Sequence, residues 1–281
     1  MPKNVRYLQK SIFSVLMFVS VASFANDDKK GLPDDKNLPS LFTNSSSAPV
    51  IKKMADSIYD LISLREFGLE REVFFNAYKG YQFLLNKGAL RKTNLLTICD
   101  YSQSSNNKRL YVVDLLNSRL LFNTYVSHGR NSGGEFPNSF SNYENSNKSS
   151  LGFLVTGSPY TGKAGLSLYL NGMERGINDN VRSRSIVLHG SRFVNEYIMN
   201  TRGVIGRSLG CPAVPYGIHV RIIDAIKGGS CVFINHPDEW YTHTSTILNA
   251  RFDLAPSGLN NVALQEGVAA NDMSGKDGSS R

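Results

Sequence analysis

The order of apolar residues predicts a mostly β domain, a β-rich sandwich or barrel, with N-terminal helices ahead of it and one inserted helix. Three observations lead to this fold class. From Leu95 to Ile234 short β-type runs recur between polar turns. Helical spacing of apolar residues is confined to the stretch before Thr93 and to one later segment. Strands and helices do not alternate regularly, which argues against a doubly wound parallel sheet.

The elements follow in chain order. Lys3, Arg6 and Lys10 precede an apolar run from Ile12 to Val21 that is too short to span a bilayer, and Ser23-Phe24-Ala25 offers small residues where a signal peptidase reads. Residues 1–25 therefore read as a signal peptide; the alternative is an uncleaved anchor. Residues 26–50, with Pro33, Pro39, Pro49 and a run of serines, read as an exposed leader. In residues 51–92, Ile51, Met54, Ala55, Ile58, Leu61 and Ile62 share one helical face. A second helix from about Glu70 carries Val73, Phe74, Ala77, Tyr78, Tyr81, Leu84 and Leu85, with Gly88 placed for a left-handed C-terminal cap. Over 93–250 strands are expected at Leu95–Cys99, Arg109–Asp114, Arg119–Val126, Leu151–Thr156, Leu166–Leu170, Ser185–Leu188 and Cys231–Ile234. The inserted helix is the segment where Ile218, Ile222, Ile223 and Ile226 share a face and Gly228 follows. Residues 251–281, rich in Gly, Ser, Asn and Asp, read as a flexible tail.

Composition narrows the function classes. Of 281 residues 41% are hydrophobic and 19% charged, which fits a globular chain and excludes wholesale disorder and a multispan membrane protein. Three cysteines cannot staple a chain of this length, so its core rests on apolar burial. Cys99 and Cys231 fall in two expected strands, either as a disulfide that leaves Cys211 free or as two separate buried thiols. The net charge of +8 is spread without a basic run or aromatic repeat, so nucleic acid is a poor partner, while an anionic cell envelope would attract the chain. His236, Asp238 and His243 lack a recognised metal-ligand spacing and read as a surface loop.

Chemistry-bearing residues concentrate in two segments. In Ile186-Val187-Leu188-His189-Gly190 an apolar strand ends on an imidazole and Gly190 lets the chain turn, a placement that suits a general base. In Gly206-Arg207-Ser208-Leu209-Gly210-Cys211-Pro212-Ala213 the thiol follows a glycine that admits a carbonyl close to the backbone, which suits a nucleophile. Pro212 has no N–H, so an oxyanion would have to be met by Cys211 itself and by Leu209 or Gly210. The bland alternative is an inert buried cysteine beside a structural histidine. Gly206 to Gly210 also fits the G-x-S-x-G nucleophile elbow, but Pro212 stands where that elbow needs a helix.

His189-Gly190 followed by Ser208-Leu209-Gly210-Cys211 resembles the hallmark of the L,D-transpeptidases with a YkuD-type catalytic domain. The likeness extends through Ser127-His128-Gly129, Ser149-Ser150-Leu151-Gly152, Tyr160-Thr161-Gly162-Lys163, Asn178-Asp179-Asn180 and Arg182-Ser183-Arg184, over roughly residues 60 to 240. Leu209, Pro212 and Ala213 depart from the usual polar neighbours of the Gly-Cys pair, and the stretch from Ser191 to Val204 leaves room for an inserted loop. The resemblance implies a mostly β domain in which Cys211 attacks the diaminopimelate carbonyl of a tetrapeptide stem in peptidoglycan and D-Ala leaves. An amine acceptor, an envelope protein among the candidates, or water then resolves the thioester. It implies no cofactor, His189 as base, and the Gly190 carbonyl as the group that orients it. Weaker expectations place Ser208, Leu209, Arg207, Arg184, His128, Tyr160 and Asn178 around the substrate. A hydrolase using the same thiol, or a noncatalytic wall-binding protein, are the alternatives.

Overall fold

The computed structural model describes residues 47–252 and Leu254. The expected signal peptide, most of the leader and nearly all of the tail lie outside the described residues. Eight strands form one sheet: β1 Leu95–Asp100, β2 Leu110–Asp114, β3 Arg119–Thr124, β4 Gly152–Gly162, β5 Gly165–Gly172, β6 Val187–Ser191, β7 Ala213–Pro215 and β8 Cys231–Asn235, in the order β3-β2-β1-β8-β4-β5-β6-β7. Pairing is antiparallel except for β1 with β8 and β6 with β7. The chain leaving β3, one edge strand, reaches β7, the other, where the Ser127 N–H donates to the Ala213 carbonyl at 2.8 Å. That bridge makes the sheet a nearly closed barrel, the mostly β class read from the sequence.

Helix α1 (Ala48–Ile62) carries Pro49 in its first turn, where no N–H partner is needed, and buries Ile51, Met54, Ala55, Ile58 and Tyr59. Leu61, expected on that face, is exposed, and Tyr59 takes its share of the packing by donating its hydroxyl to the Leu69 carbonyl at 2.6 Å. Helix α2 (Arg71–Asn86) buries Phe74, Ala77, Tyr78, Tyr81 and Leu84 and stops as expected at Gly88, whose φ is +66°. The inserted helix appears as α4 (His219–Ile226), with Gly228 at φ +88° just beyond it. Two short helices were not anticipated. Helix α3 (Glu196–Arg202) occupies the stretch read as a loop; Asn195 caps it by accepting from the Ile198 N–H at 2.8 Å, and Gly203 ends it. Helix α5 (Glu239–Thr244) is capped by Asp238 on the Tyr241 N–H at 2.8 Å.

Cys99 and Cys231 are separate buried thiols. Cys99 pairs with Ile234 and Cys231 with Leu96, three rows apart on neighbouring strands. At about 3.3 Å per row that is about 10 Å, beyond the reach of a disulfide. Burial pushes the Cys99 thiol up to about 12, so it stays protonated and inert. Among the described residues no helix is long and apolar enough to cross a membrane.

Candidate active site

Strand β6 and the loop entering β7 bring the two sequence segments together. His189 pairs with Ala213 across the parallel β6–β7 ladder, which sets Cys211, two residues earlier, beside Val187. The alternation of β6 explains which side chain is free to act: Leu188 is fully buried in the core, while His189, on the opposite face, is only half-buried. Its Nδ1 lies 3.0 Å from the Gly190 carbonyl. A carbonyl only accepts, so this bond places the proton on Nδ1 and leaves Nε2 with its lone pair. Gly190 is required sterically, since a Cβ there would lie 2.5 Å from the ring of His219, itself held by the Tyr216 carbonyl at 2.6 Å.

The loop that carries Cys211 is tied down at Ser208, Gly210 and Cys211. Ser208 donates through Oγ to the Cys211 carbonyl at 2.7 Å and accepts there from the Gly210 N–H at 3.1 Å. Its own backbone pairs with the His128 carbonyl and the Arg130 N–H, at 2.9 and 2.8 Å. Gly210 has a φ of +124°, and a Cβ would meet the Lys148 carbonyl and Ile186 at 2.8 Å, so no other residue fits. Ser149 donates to the Gly210 carbonyl at 3.3 Å.

Cys211 Sγ accepts from the Val187 N–H at 3.5 Å and points its thiol at the Ser185 carbonyl 3.7 Å away. Burial pushes the thiol up, against the lowering effect of the Val187 N–H and of the Arg184 guanidinium. Burial wins, so the resting group is a protonated thiol. No hydrogen bond joins it to His189 among the described residues. Of the three N–H groups expected from the sequence to face an oxyanion, that of Gly210 is spent on Ser208 and that of Cys211 faces its own thiol, while that of Leu209 has no acceptor among the described residues.

The remaining expected residues separate into four groups. Leu209 is 60% exposed at the loop tip, and Arg207 is exposed and donates to the Gly133 carbonyl at 2.7 Å. Tyr160 stands on the same sheet row as Ser167, His189 and Ala213 and stacks on Tyr169 with centroids 4.2 Å apart. Arg184 is taken up by the loop from Ser141 to Ser150: it donates to the Ser141 and Lys148 carbonyls and to the hydroxyls of Ser146 and Ser150. It braces that loop beside the site and adds positive potential at the thiol.

His128 and Asn178 are corrections, because both are fully buried and cannot line a cleft. His128 Nδ1 accepts from Arg109 Nη2 at 2.8 Å, and burial together with that like-charged neighbour pushes the imidazole down to about 4. The Asn178 amide joins the Leu151 carbonyl, at 2.8 Å, to the Glu174 N–H, at 2.9 Å.

The sequence reading missed three contributors. The Ser185 carbonyl, set by a left-handed φ of +57°, and the Val187 N–H are backbone atoms with no side-chain signature. Arg109 is fully buried; its guanidinium bonds the Val126 carbonyl twice, at 3.0 and 3.2 Å, and the Gln103 carbonyl at 2.7 Å, holding the strap from Val126 to His128 against which Ser208 rests. An arginine at the start of an apolar run was the available sign.

With this geometry in view, comparison with known families finds the one described as "L,D-transpeptidase catalytic domain" matching residues 65–235. The chain belongs to that family. Similar solved structures are an L,D-transpeptidase from Mycobacterium smegmatis (10% identity, 51% of this chain and 59% of that one, TM-score 0.31). Another is an L,D-transpeptidase from Mycobacterium tuberculosis H37Rv (13%, 51% and 58%, 0.33). A third is the L,D-transpeptidase (residues 123-326) from Xylanimonas cellulosilytica DSM 15894 (13%, 68% and 95%, 0.29). The aligned part of this chain spans less than two thirds of the two mycobacterial chains. No curated protein matched significantly.

Proposed function

We propose that this chain is an exported enzyme of the periplasm or cell envelope that transfers acyl groups between peptidoglycan stem peptides, with Cys211 as nucleophile and His189 as base and acid. The observation that carries this reading is the pairing of β6 with β7. It brings the half-buried imidazole on β6 beside the loop that enters β7, where Ser208 holds the Cys211 backbone and the Val187 N–H and Ser185 carbonyl hold its thiol.

The thiol is protonated at rest, so His189 Nε2 takes the Sγ proton as sulfur bonds to the diaminopimelate carbonyl carbon of a tetrapeptide stem. The oxyanion is met by the Cys211 and Leu209 N–H groups. Collapse breaks the bond to D-Ala, whose amine leaves with the proton from His189. An acceptor amine, on another stem or on an envelope protein, then attacks the thioester while His189 takes its proton; the C–S bond breaks, His189 returns the proton to Sγ, and a new amide is left. The Gly190 carbonyl keeps Nδ1 protonated throughout and stabilises the imidazolium, the part an acidic side chain plays in other triads. None of these steps calls for a cofactor.

Mass spectrometry of the mature protein with a diaminopimelate-containing tetrapeptide tests this, comparing wild type with Cys211→Ala and Ser208→Ala. Loss of D-Ala with a cross-linked dimer, abolished by Cys211→Ala, is the expected result. Trimmed monomer alone would make it a carboxypeptidase. No adduct from a protein that still sediments with sacculi would make it a noncatalytic binder.

A further inference from the structure

The loop from Asn138 to Lys148 forms one wall of an open cleft of about 830 Å³, opposite residues 176–180 and the start of α5. Two large aromatic side chains stand at this cleft in water: Tyr143 is 82% and Trp240 59% exposed. Neither packs in the core, so the fold gains little from their area. Beside them short amides and carboxylates are already ordered. Asn142 donates to Asp179 Oδ1 at 2.7 Å and accepts from the Asn180 N–H at 3.1 Å, and the Asn180 side chain returns a bond to the Asn142 carbonyl at 3.1 Å. The hydrogen bond from Asn142 holds the Asp179 carboxyl below the usual carboxylate range, so it remains an acceptor.

Ring faces to stack on, with planar amides and carboxylates around them, match a pyranose: its C–H face lies on an aromatic ring while hydroxyl and acetamido groups bond in the plane. Anions suit the cleft poorly, because Asp179 and Asp238 line it and the one lysine there, Lys148, is bound to Ser139 Oγ at 2.7 Å.

The cleft is also mechanically joined to the thiol. Arg184 bonds the cleft wall at Ser141, Ser146 and Lys148, and the next residue offers the carbonyl that faces Cys211 Sγ. We propose that this cleft binds the N-acetylated saccharide of the glycan strand from which the stem hangs, so that sugar and peptide are held together during transfer. The choice of saccharide rests on the stem-peptide reading given above.

Trp240 is the only tryptophan in the chain, so its emission reports on the cleft directly. The full Cys211→Ala chain would be titrated with a β-1,4-linked N-acetylglucosamine tetramer, with a glucose tetramer, and with the free tetrapeptide. A saturable blue shift is expected with the N-acetylated sugar alone, weakened about tenfold by Tyr143→Ala through loss of one stacking contact. Tyr143→Ala removes a side chain that makes no hydrogen bond among the described residues, so an unchanged melting curve is expected to accompany the weakening. An absent shift, an equal response to the glucose tetramer, a response to the peptide alone, or undiminished binding by Tyr143→Ala would each overturn the proposal. The variant has no thiol at position 211, so failure here leaves the acyl-transfer reading standing, and failure of acyl transfer leaves sugar binding standing.

Discussion

Ser208→Ala is the sharpest test of how the proposed nucleophile, Cys211, is positioned. The side chain is 5% exposed and makes two bonds inside its own loop, to the Cys211 carbonyl and from the Gly210 N–H. Its backbone bonds to His128 and Arg130 survive the substitution, so the loop loosens locally instead of detaching. The lost bond to the Cys211 carbonyl contributes about 1 kcal/mol and leaving the buried Gly210 N–H unpaired costs about 1–3 kcal/mol, so the expected loss is about 2–4 kcal/mol. For a domain of this size that lowers Tm by about 5–10 °C. The freed Gly210 amide and the shifted Cys211 carbonyl displace the thiol, and kcat/KM should fall about 10- to 100-fold, with acyl-enzyme still visible by mass spectrometry. Ser208→Thr keeps the oxygen and should recover most of both losses. An unchanged Tm with kcat/KM within twofold of wild type would refute the clamp. Abolition of the adduct by Ser208→Ala, with adduct retained in Cys211→Ala, would move the nucleophile to the serine.

Three further expectations follow from the same contacts. Gly190→Ala drives a Cβ into the His219 ring, so activity should fall at least tenfold while the far-UV circular dichroism spectrum stays native; wild-type rates would show that the ring gives way without cost. Arg109→Leu leaves the Gln103 and Val126 carbonyls and His128 Nδ1 unpaired, and urea unfolding should show a loss of about 3 kcal/mol; Arg109→Lys should not rescue it, because an ammonium cannot replace the planar fork. A loss below about 1 kcal/mol would refute this. His128 is pushed down to about 4 in the fold, against about 6.5 in the unfolded chain. The unfolded state therefore takes up the proton first, and stability present above about pH 6.5 is lost as pH falls through that window, by about 3 kcal/mol in all. An imidazole NMR midpoint near 6.5 for His128 would contradict it.

What could be read from the residues alone had a local physical cause. The 3.6-residue apolar rhythm of α1, α2 and α4 and the glycines beyond α2 and α4 act within a few residues, so their signals survive in one dimension. Helices α3 and α5 carried signals as well, Asn195 with Gly203 and Asp238, but each is about two turns long and its apolar pattern is too short to register. Strand β7 has three residues and includes Pro215; it exists because β6 offers an open edge, which no local pattern encodes.

The same division holds in the site. His189 and Cys211 stood out because each reactive side chain is paired with a glycine, at positions 190 and 210, and that demand for close approach is written in the sequence. The fates of Arg184, His128 and Asn178 were not, since an arginine or asparagine reads alike whether it meets substrate or a buried carbonyl. Only the barrel, by bringing the loop from Ser141 to Ser150 onto Arg184, Arg109 onto His128 and the Leu151 carbonyl onto Asn178, decided that these three brace the fold. Sequence by itself singled out His189 and Cys211 as the candidate reactive pair; tertiary structure decided which polar groups are free to meet a ligand, because hydrogen-bond partners far apart along the chain are chosen only when the sheet closes.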